Sequence, residues 1–333
     1  MNADYLSSLI AVVVLGLIAY AGVAMAGLNG FFGVFVPYLA LVLFVIGFTR
    51  RVLGWAGSAV PFRIPTTCGQ EKSLPWIKQA KIDNPSTKTG VVLRMFFEVL
   101  LFRSLFRNTR ATLNENGRLS YKWVLWLWAF ALMFHYCFLL VVLRHLRFFT
   151  EPVPGFVKML EGVDGMLQIG LPVMRISGVL LLVAATLLLL RRILLPKVRY
   201  ISRPADYFPL FLIIGIAGTG IFMRYFTKVD VVKIKELTMG LATFHPAMVQ
   251  DGIGALFYSH LFLVSILLAY IPNSKLMHMG GVFLSPTRNL ANNSRAVRHI
   301  NPWNHPVKVH TYEEYEDDFR EKMIEAGLPV EKE

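Results

Sequence analysis

Two pairs of histidines lie in or beside apolar stretches of this chain. His135 and His145 stand ten residues apart in YKWVLWLWAFALMFHYCFLLVVLRHL, residues 121–146, which carries no Asp, Glu, Lys or Arg between Trp123 and Leu143. His260 sits inside a second uncharged stretch, Gly252 to Ser274, and His278 lies just past its end. An imidazole inside a bilayer-spanning segment is costly and marks a functional site by default. Four of them on two spans point to a metal-centred site. Haem iron is the metal that bis-imidazole ligation in an apolar setting suits.

Composition narrows the chemistry further. The only cysteines are Cys68 and Cys137, with no CxxC, which argues against an iron–sulfur cluster or structural zinc site in this chain. No CxxCH occurs, so a haem here is held non-covalently and is b-type. Cys137 reads as a packing residue. His299, His305 and His310 fall in the polar tail without a zinc pattern and read as surface or partner contacts. Taken singly, His145 or His278 reads as a hydrated side chain at a membrane interface. The pattern of four carries more than any one of them.

The elements that must position these histidines are apolar helices. Of 333 residues, 55% are hydrophobic and only 17% charged, against roughly a quarter charged in soluble domains; the mean hydropathy is +0.52. The predicted fold class is all-α: a polytopic membrane helical bundle of about six transmembrane helices with a cytoplasmic C-terminal tail. Tyr5 to Thr49 is 45 residues without a formal charge, too long for one span, and Leu28-Asn29-Gly30 offers a turn. Spans are expected at about 6–27, 31–50, 122–146, 168–191, 207–226 and 251–274. Four regions follow: two N-terminal helices over 1–50, a basic loop over 51–121, a four-helix di-haem core over 122–280, and a tail over 281–333. The N-terminus lacks a basic leader region and reads as an uncleaved first span. Within the loop, GVVLRMFFEVLLFRSLFR is apolar but charged, and suits an interfacial helix or one packed on neighbouring spans.

The formal charge of +13 is confined largely to loops. From Arg50 to Lys122 there are thirteen Lys or Arg against four Asp or Glu, and RRILLPKVRYISR adds five more bases. The positive-inside bias explains this charge without a nucleic-acid partner, and alternates correctly if both termini are cytoplasmic in a cytoplasmic (inner) membrane. The spans bearing the histidines then run in opposite senses. Their pairing is His145 with His260 for an outer haem and His135 with His278 for an inner one. Ten helical residues rise about 15 Å and eighteen about 27 Å, so straight helices cannot be level at both sites. Pro272, in the sequence IPNS, predicts a kink or break between His260 and His278. Arg144, Arg147 and Arg175 lie where they could meet haem propionates. His245 and Lys158 are weaker candidates for contact with a quinone headgroup. Trp123, Trp126 and Trp128 suit an interfacial belt.

Two readings compete from residues alone. A transporter could use membrane histidines as proton relays, but no inverted repeat or span acid accompanies them. A haem-free anchor would tolerate loss of all four.

The spacings H-x9-H in one span and H-x17-H toward the chain end resemble the cytochrome b (gamma) subunit of respiratory nitrate reductase, over residues 120–285. The tail segments LSPTRNLANNSR and HINPWNHPVKVHTYEEYEDDFREKM are similar to those of the DsrM family, membrane cytochromes b of DsrMKJOP complexes in sulfur-metabolising microbes. The resemblance implies that His135, His145, His260 and His278 ligate two haem b groups in the crossed pairing above. It implies menaquinone as substrate and a DsrK-like cytoplasmic iron–sulfur subunit, related to heterodisulfide reductase, as immediate partner. A wider complex is also implied, with a multihaem cytochrome c, a periplasmic iron–sulfur protein and a second membrane subunit. Two spans before the first ligand-bearing helix depart from the five-span nitrate reductase plan.

Overall fold

The computed structural model describes residues 4–58, 69–114, 116–166, 173–246, 252–293 and 309–332. Six helices in it are long and apolar enough to cross a membrane. They are α1 (Asp4–Ala26), α2 (Val36–Ala56, entered through a π-turn at Phe31–Phe35), α5 (Leu125–His145), α7 (Ile176–Leu194), α9 (Pro204–Phe222) and α11 (Ala255–Tyr270). Shorter helices lie between and beyond them: α3 (Lys88–Leu101), α4 (Arg103–Phe106), α6 (Gly155–Asp164), α8 (Pro196–Ile201), α10 (Val231–Ala242), α12 (His278–Leu284), α13 (Pro286–Asn289) and α14 (Tyr312–Glu325). The chain is therefore a polytopic helical bundle, with one departure from all-α. Strands β1 (Thr109–Leu113) and β2 (Leu119–Trp123) form an antiparallel hairpin, pairing Ala111 with Tyr121. The third span accordingly begins at Leu125, just after the strand.

The spans are apolar on most sides, and in α1 and α7 small or hydroxyl residues mark the inward face. In α1, Ser8, Val12 and Ala19 are buried while Leu9, Ile10, Val13, Leu17 and Ile18 stand exposed. In α7 the buried stripe is Ser177, Leu181, Ala184, Ala185 and Leu189. Exposed leucines and valines of this extent fit a hydrocarbon surround. Hydroxyls tie neighbours together: Ser259 Oγ of α11 donates to the Gly16 carbonyl of α1 at 3.1 Å.

Helix α5 packs on α7, α7 on α9, α9 on α1 and α11, and α11 on α1 and α2. The two histidine-bearing helices, α5 and α11, are not among these principal packing pairs. Ends alternate. Ser8 Oγ donates to the Pro204 carbonyl, joining the starts of α1 and α9, and Tyr270 at the end of α11 reaches the Ala205 carbonyl. This end carries the basic loop and the C-terminal segments. At the opposite end, Thr238 Oγ1 of α10 donates to the Phe148 carbonyl beyond α5, and Tyr38 hydroxyl of α2 to the Leu241 carbonyl of α10.

Span four differs from the expected 168–191. Its helix begins at Ile176, because Arg175 is extended (φ −90°, ψ 106°) and the Asp164 carboxylate receives the Ser177 amide at 2.7 Å. Arg175 is thus the residue before the helix rather than part of it. Asp251, the expected start of span six, lies outside the described residues, as do Cys68, His299 and His305. Helix α11 starts at Ala255.

Candidate functional site

The four histidines fall at two levels of the bundle. His135 is midway along α5 and His145 is its last residue; His260 is near the start of α11. Helix α11 ends at Tyr270, and the chain continues through 3-10 turns at Ile271–Asn273 and Lys275–Met277, with an extended Ser274 between them, before His278 opens α12. The break expected at Pro272 is present. It removes the length mismatch between the helices. His260 to Tyr270 is ten helical residues, the same as His135 to His145, and the remaining residues are folded into turns. Close packing fixes the break: a Cβ on Gly47 of α2 would lie 2.7 Å from Pro272 Cβ.

At the basic end the rings of His135 and His278 stand 6.0 Å apart between centroids, at 78° to one another. Two imidazoles in line on one iron, at about 2 Å per bond, place their centroids roughly 6 Å apart. Phe102 and Phe134 set ring edges against His135, with centroids at 4.9 and 5.1 Å. His278 is exposed and His135 half-buried.

The hydrogen bonds of the imidazoles decide which nitrogen is free. Nδ1 of His135 is 2.7 Å from the Ala131 carbonyl, Nδ1 of His145 is 2.7 Å from the Val141 carbonyl, and Nδ1 of His278 is 2.8 Å from the Lys275 carbonyl. A carbonyl only accepts, so each Nδ1 carries the proton and each Nε2 presents its lone pair. His260 differs in partner but not in result. Its Nδ1 is 2.9 Å from Thr219 Oγ1, and that hydroxyl donates to the Gly215 carbonyl at 2.8 Å or the Ile216 carbonyl at 3.0 Å, leaving an oxygen lone pair for His260 Nδ1–H. Gly220 lets α9 approach, since a Cβ there would meet His260 Cε1 at 3.3 Å. This is the support pattern of metal-bound histidine, with Nδ1–H anchored and Nε2 available. Among the described residues no three His, Cys, Asp or Glu side chains cluster as a protein-only metal site. A haem needs only two axial imidazoles, so the donor set fits it.

Charged groups gather beside His145. Arg144 pairs with Asp164 at 2.7 Å, the carboxylate only 2% exposed, and Asp164 also receives the Ser177 hydroxyl at 2.8 Å. Arg144 Nε is buried and without a hydrogen-bond partner. Arg147 pairs with Glu161 at 2.8 Å. The Arg175 amide donates to the Tyr225 hydroxyl at 2.8 Å, and its guanidinium to the Glu161 carbonyl. Sequence reasoning placed these arginines near the site but missed Asp164, whose loop looks merely charge-balanced. Lys158 and His245 are exposed, with His245 Nδ1 turned to the Thr243 carbonyl. Cys137 packs, half-buried, on the apolar cluster of Leu181, Leu212 and Leu263. Trp123 and Trp126 are exposed, as belt residues would be, although Trp123 also sets its ring against Phe106; Trp128 is half-buried on Phe106, and its Nε1 donates to the Leu101 carbonyl at 2.8 Å. His310 lies 3.9 Å from Glu314.

Fold and site together define a polytopic helical membrane protein with histidines on or beside two of its spans. The chain belongs to the nitrate reductase gamma subunit family, which it matches over residues 93–299, a range containing all four histidines. It is 49% identical over 278 residues to the Hdr-like menaquinol oxidoreductase cytochrome b-like subunit of Archaeoglobus fulgidus, covering 82% of this chain and 83% of that protein. The protein of the same name from Archaeoglobus profundus is 46% identical over 274 residues, 80% of this chain and 81% of the relative. The respiratory nitrate reductase 1 gamma chain of Escherichia coli is 32% identical over 113 residues, 32% of this chain and 50% of that one. The DsrM-like character read from the tail agrees with these relatives.

Proposed function

We propose that this chain is a di-haem b electron-transfer subunit linking the menaquinone pool to a cytoplasmic, heterodisulfide-reductase-like iron–sulfur subunit in dissimilatory sulfur metabolism. The observation that carries the reading is the set of four imidazoles, three on two antiparallel spans and His278 just beyond the second, each with Nδ1 anchored and Nε2 free. The names of the Archaeoglobus relatives support menaquinol as reductant and an Hdr-like assembly.

His145 with His260 and His135 with His278 would hold the two haems, which supply one-electron chemistry when bound. The chain's own residues do the rest. The Nδ1–H anchors fix the orientation of each ring and the tautomer that leaves Nε2 as the donor atom. Arg144, through its unpartnered Nε–H, and Arg175 offer positive charge to propionates at the His145 end. Apolar spans exclude water between the two levels. The positive-inside bias of the basic loops supports both termini on the cytoplasmic side of the cytoplasmic membrane. Menaquinol oxidised near the His145 end releases its protons on the outer side. A DsrK-like subunit is the immediate partner at the basic end. A multihaem cytochrome c, a periplasmic iron–sulfur protein and a second membrane subunit complete the complex.

The test is a reduced-minus-oxidised absorption spectrum with haem quantification on the purified chain. Two b haems are expected in the wild type and about one in each of His135→Ala and His260→Ala. A folded, haem-supplied wild type without haem overturns the reading.

A further inference from the structure

We infer that helix α3 is a clamp that sets the spacing of the His135–His278 pair, with Glu98 and Arg94 as its positioning residues. Helix α3 is inverted relative to an ordinary surface helix. Val92, Leu93, Phe96 and Leu100 are exposed, whereas Arg94 is 6% exposed and the Glu98 side chain 13%. The two charges are four residues apart and share one face. That face grips the segment following His278. Arg94 Nη1 donates to the Thr287 carbonyl at 2.9 Å, and Glu98 Oε1 pairs with Arg288. Glu98 Oε2 accepts the Ser104 hydroxyl at 2.6 Å and its amide at 3.1 Å, tying the same carboxylate to α4. Before α3, the Asn292 amide donates to the Pro85 carbonyl at 2.7 Å and Asn292 Nδ2 to Asn84 Oδ1 at 2.5 Å, both asparagines being buried.

The other end of α3 grips the helix of His135. The Leu100 carbonyl accepts the Tyr136 hydroxyl at 2.9 Å and the Leu101 carbonyl accepts Trp128 Nε1 at 2.8 Å. Those carbonyls end the helix, because Phe102 turns left-handed (φ 50°) and sets its ring against His135. One short helix therefore holds both sides of the pair. His278 lies in a broken segment held on its N-terminal side by Pro272 against α2 and by Lys275 on Asp206 at 2.6 Å, and α3 supplies the tie on its C-terminal side.

The inference rests on the haem reading for its spectroscopic arm, but not for its distance arm. In the first arm, Glu98→Ala, Arg288→Ala and the double variant are compared with wild type by redox titration and low-temperature electron paramagnetic resonance. The signal lost in His278→Ala should shift in midpoint and g-value, while the signal lost in His260→Ala stays. The double variant should match Glu98→Ala, since Arg288 meets α3 through that carboxylate, which also holds Ser104. Equal shifts of both signals, or none, overturn the clamp. In the second arm, nitroxide labels at Leu139 and Met279, both exposed, report the α5–α12 distance in nanodiscs without haem. Glu98→Ala should broaden that distribution, and Phe102→Leu, a milder variant, should broaden it less. An unchanged distribution in Glu98→Ala overturns the clamp whether or not haem is bound.

Discussion

His135 and His278 come from helices that are not principal packing partners, yet their rings stand 6.0 Å apart. The distance exists because α11 stops at Tyr270. Had the helix continued to His278, that residue would lie about 12 Å further along the axis than Tyr270. Proline, two tight turns and an extended serine bring it back to the level of His135.

Gly47 should be the most sensitive position supporting that break. A Cβ there meets Pro272 at 2.7 Å, so Gly47→Val must push the turn away from α2. Overpacking of this kind costs about 1–3 kcal/mol. Haem retained in Gly47→Val membranes should fall toward one per chain, with the loss at the His278 site. Full occupancy with an unaltered spectrum would show that the turn is free to move.

His260 meets a side-chain oxygen, Thr219 Oγ1, at 2.9 Å, where Nδ1 of each of the other three meets a backbone carbonyl. Thr219→Val preserves shape and removes the oxygen that accepts its Nδ1–H. Loss of such an anchoring partner weakens metal binding by roughly 10–100-fold. Haem titration of the Thr219→Val protein should show one site weakened by that factor and one unchanged, with Thr219→Ser near wild type. Equal affinities in Thr219→Val and wild type would mean that helix packing alone orients the ring.

How legible these arrangements were depends on distance along the chain. The six spans and the break at Pro272 follow from local features: charge-free runs of span length, and a proline that cannot stay inside a helix. The hairpin at 109–123 escaped notice because TRATL and LSYKW are short, exposed and lack a clean alternation. Arg94 and Glu98 looked like blemishes on an apolar helix. Their partners, Thr287 and Arg288, are about 190 residues away, and no periodicity links them. Asp164 was invisible for a different reason: its partners are near in the chain, but they lie on two separate spans, Arg144 on α5 and the first turn of α7, that only the fold brings to one carboxylate.

The C-terminal helix should respond to acid through one residue. Glu316 is 1% exposed, and its carboxylate accepts the amides of Glu331 at 2.8 Å and Lys332 at 2.9 Å. Those amides, with Arg320 beside them, hold it below the usual carboxylate range. A depressed folded value means that its contribution is complete above the unfolded value, about 4.3, and is lost as pH falls through the lower folded one. Amide proton shifts of Glu331 and Lys332 should therefore be flat near neutrality and titrate below the ordinary glutamate midpoint. Glu316→Gln should abolish that titration, and a midpoint at or above the ordinary value would refute the assignment.

Asp164 and Arg144 give a contrast between breaking a buried pair and replacing it. Asp164 is almost wholly enclosed, so Asp164→Ala leaves Arg144 without its directly paired carboxylate and Ser177 without its acceptor. Breaking such a pair typically costs about 3–5 kcal/mol, whereas exchanging both partners for apolar residues is often close to neutral. The apparent melting midpoint in detergent should drop sharply in Asp164→Ala and in Arg144→Ala, and recover in the Asp164→Leu/Arg144→Leu double variant. Stability alone would then be restored, but the positive charge next to His145 would not. If Arg144 also serves an anion at that end of the bundle, as its unpartnered Nε–H suggests, the double variant should melt like wild type yet carry a lowered midpoint potential for the signal assigned to His145 and His260. A double variant that recovers both properties would confine Arg144 to packing.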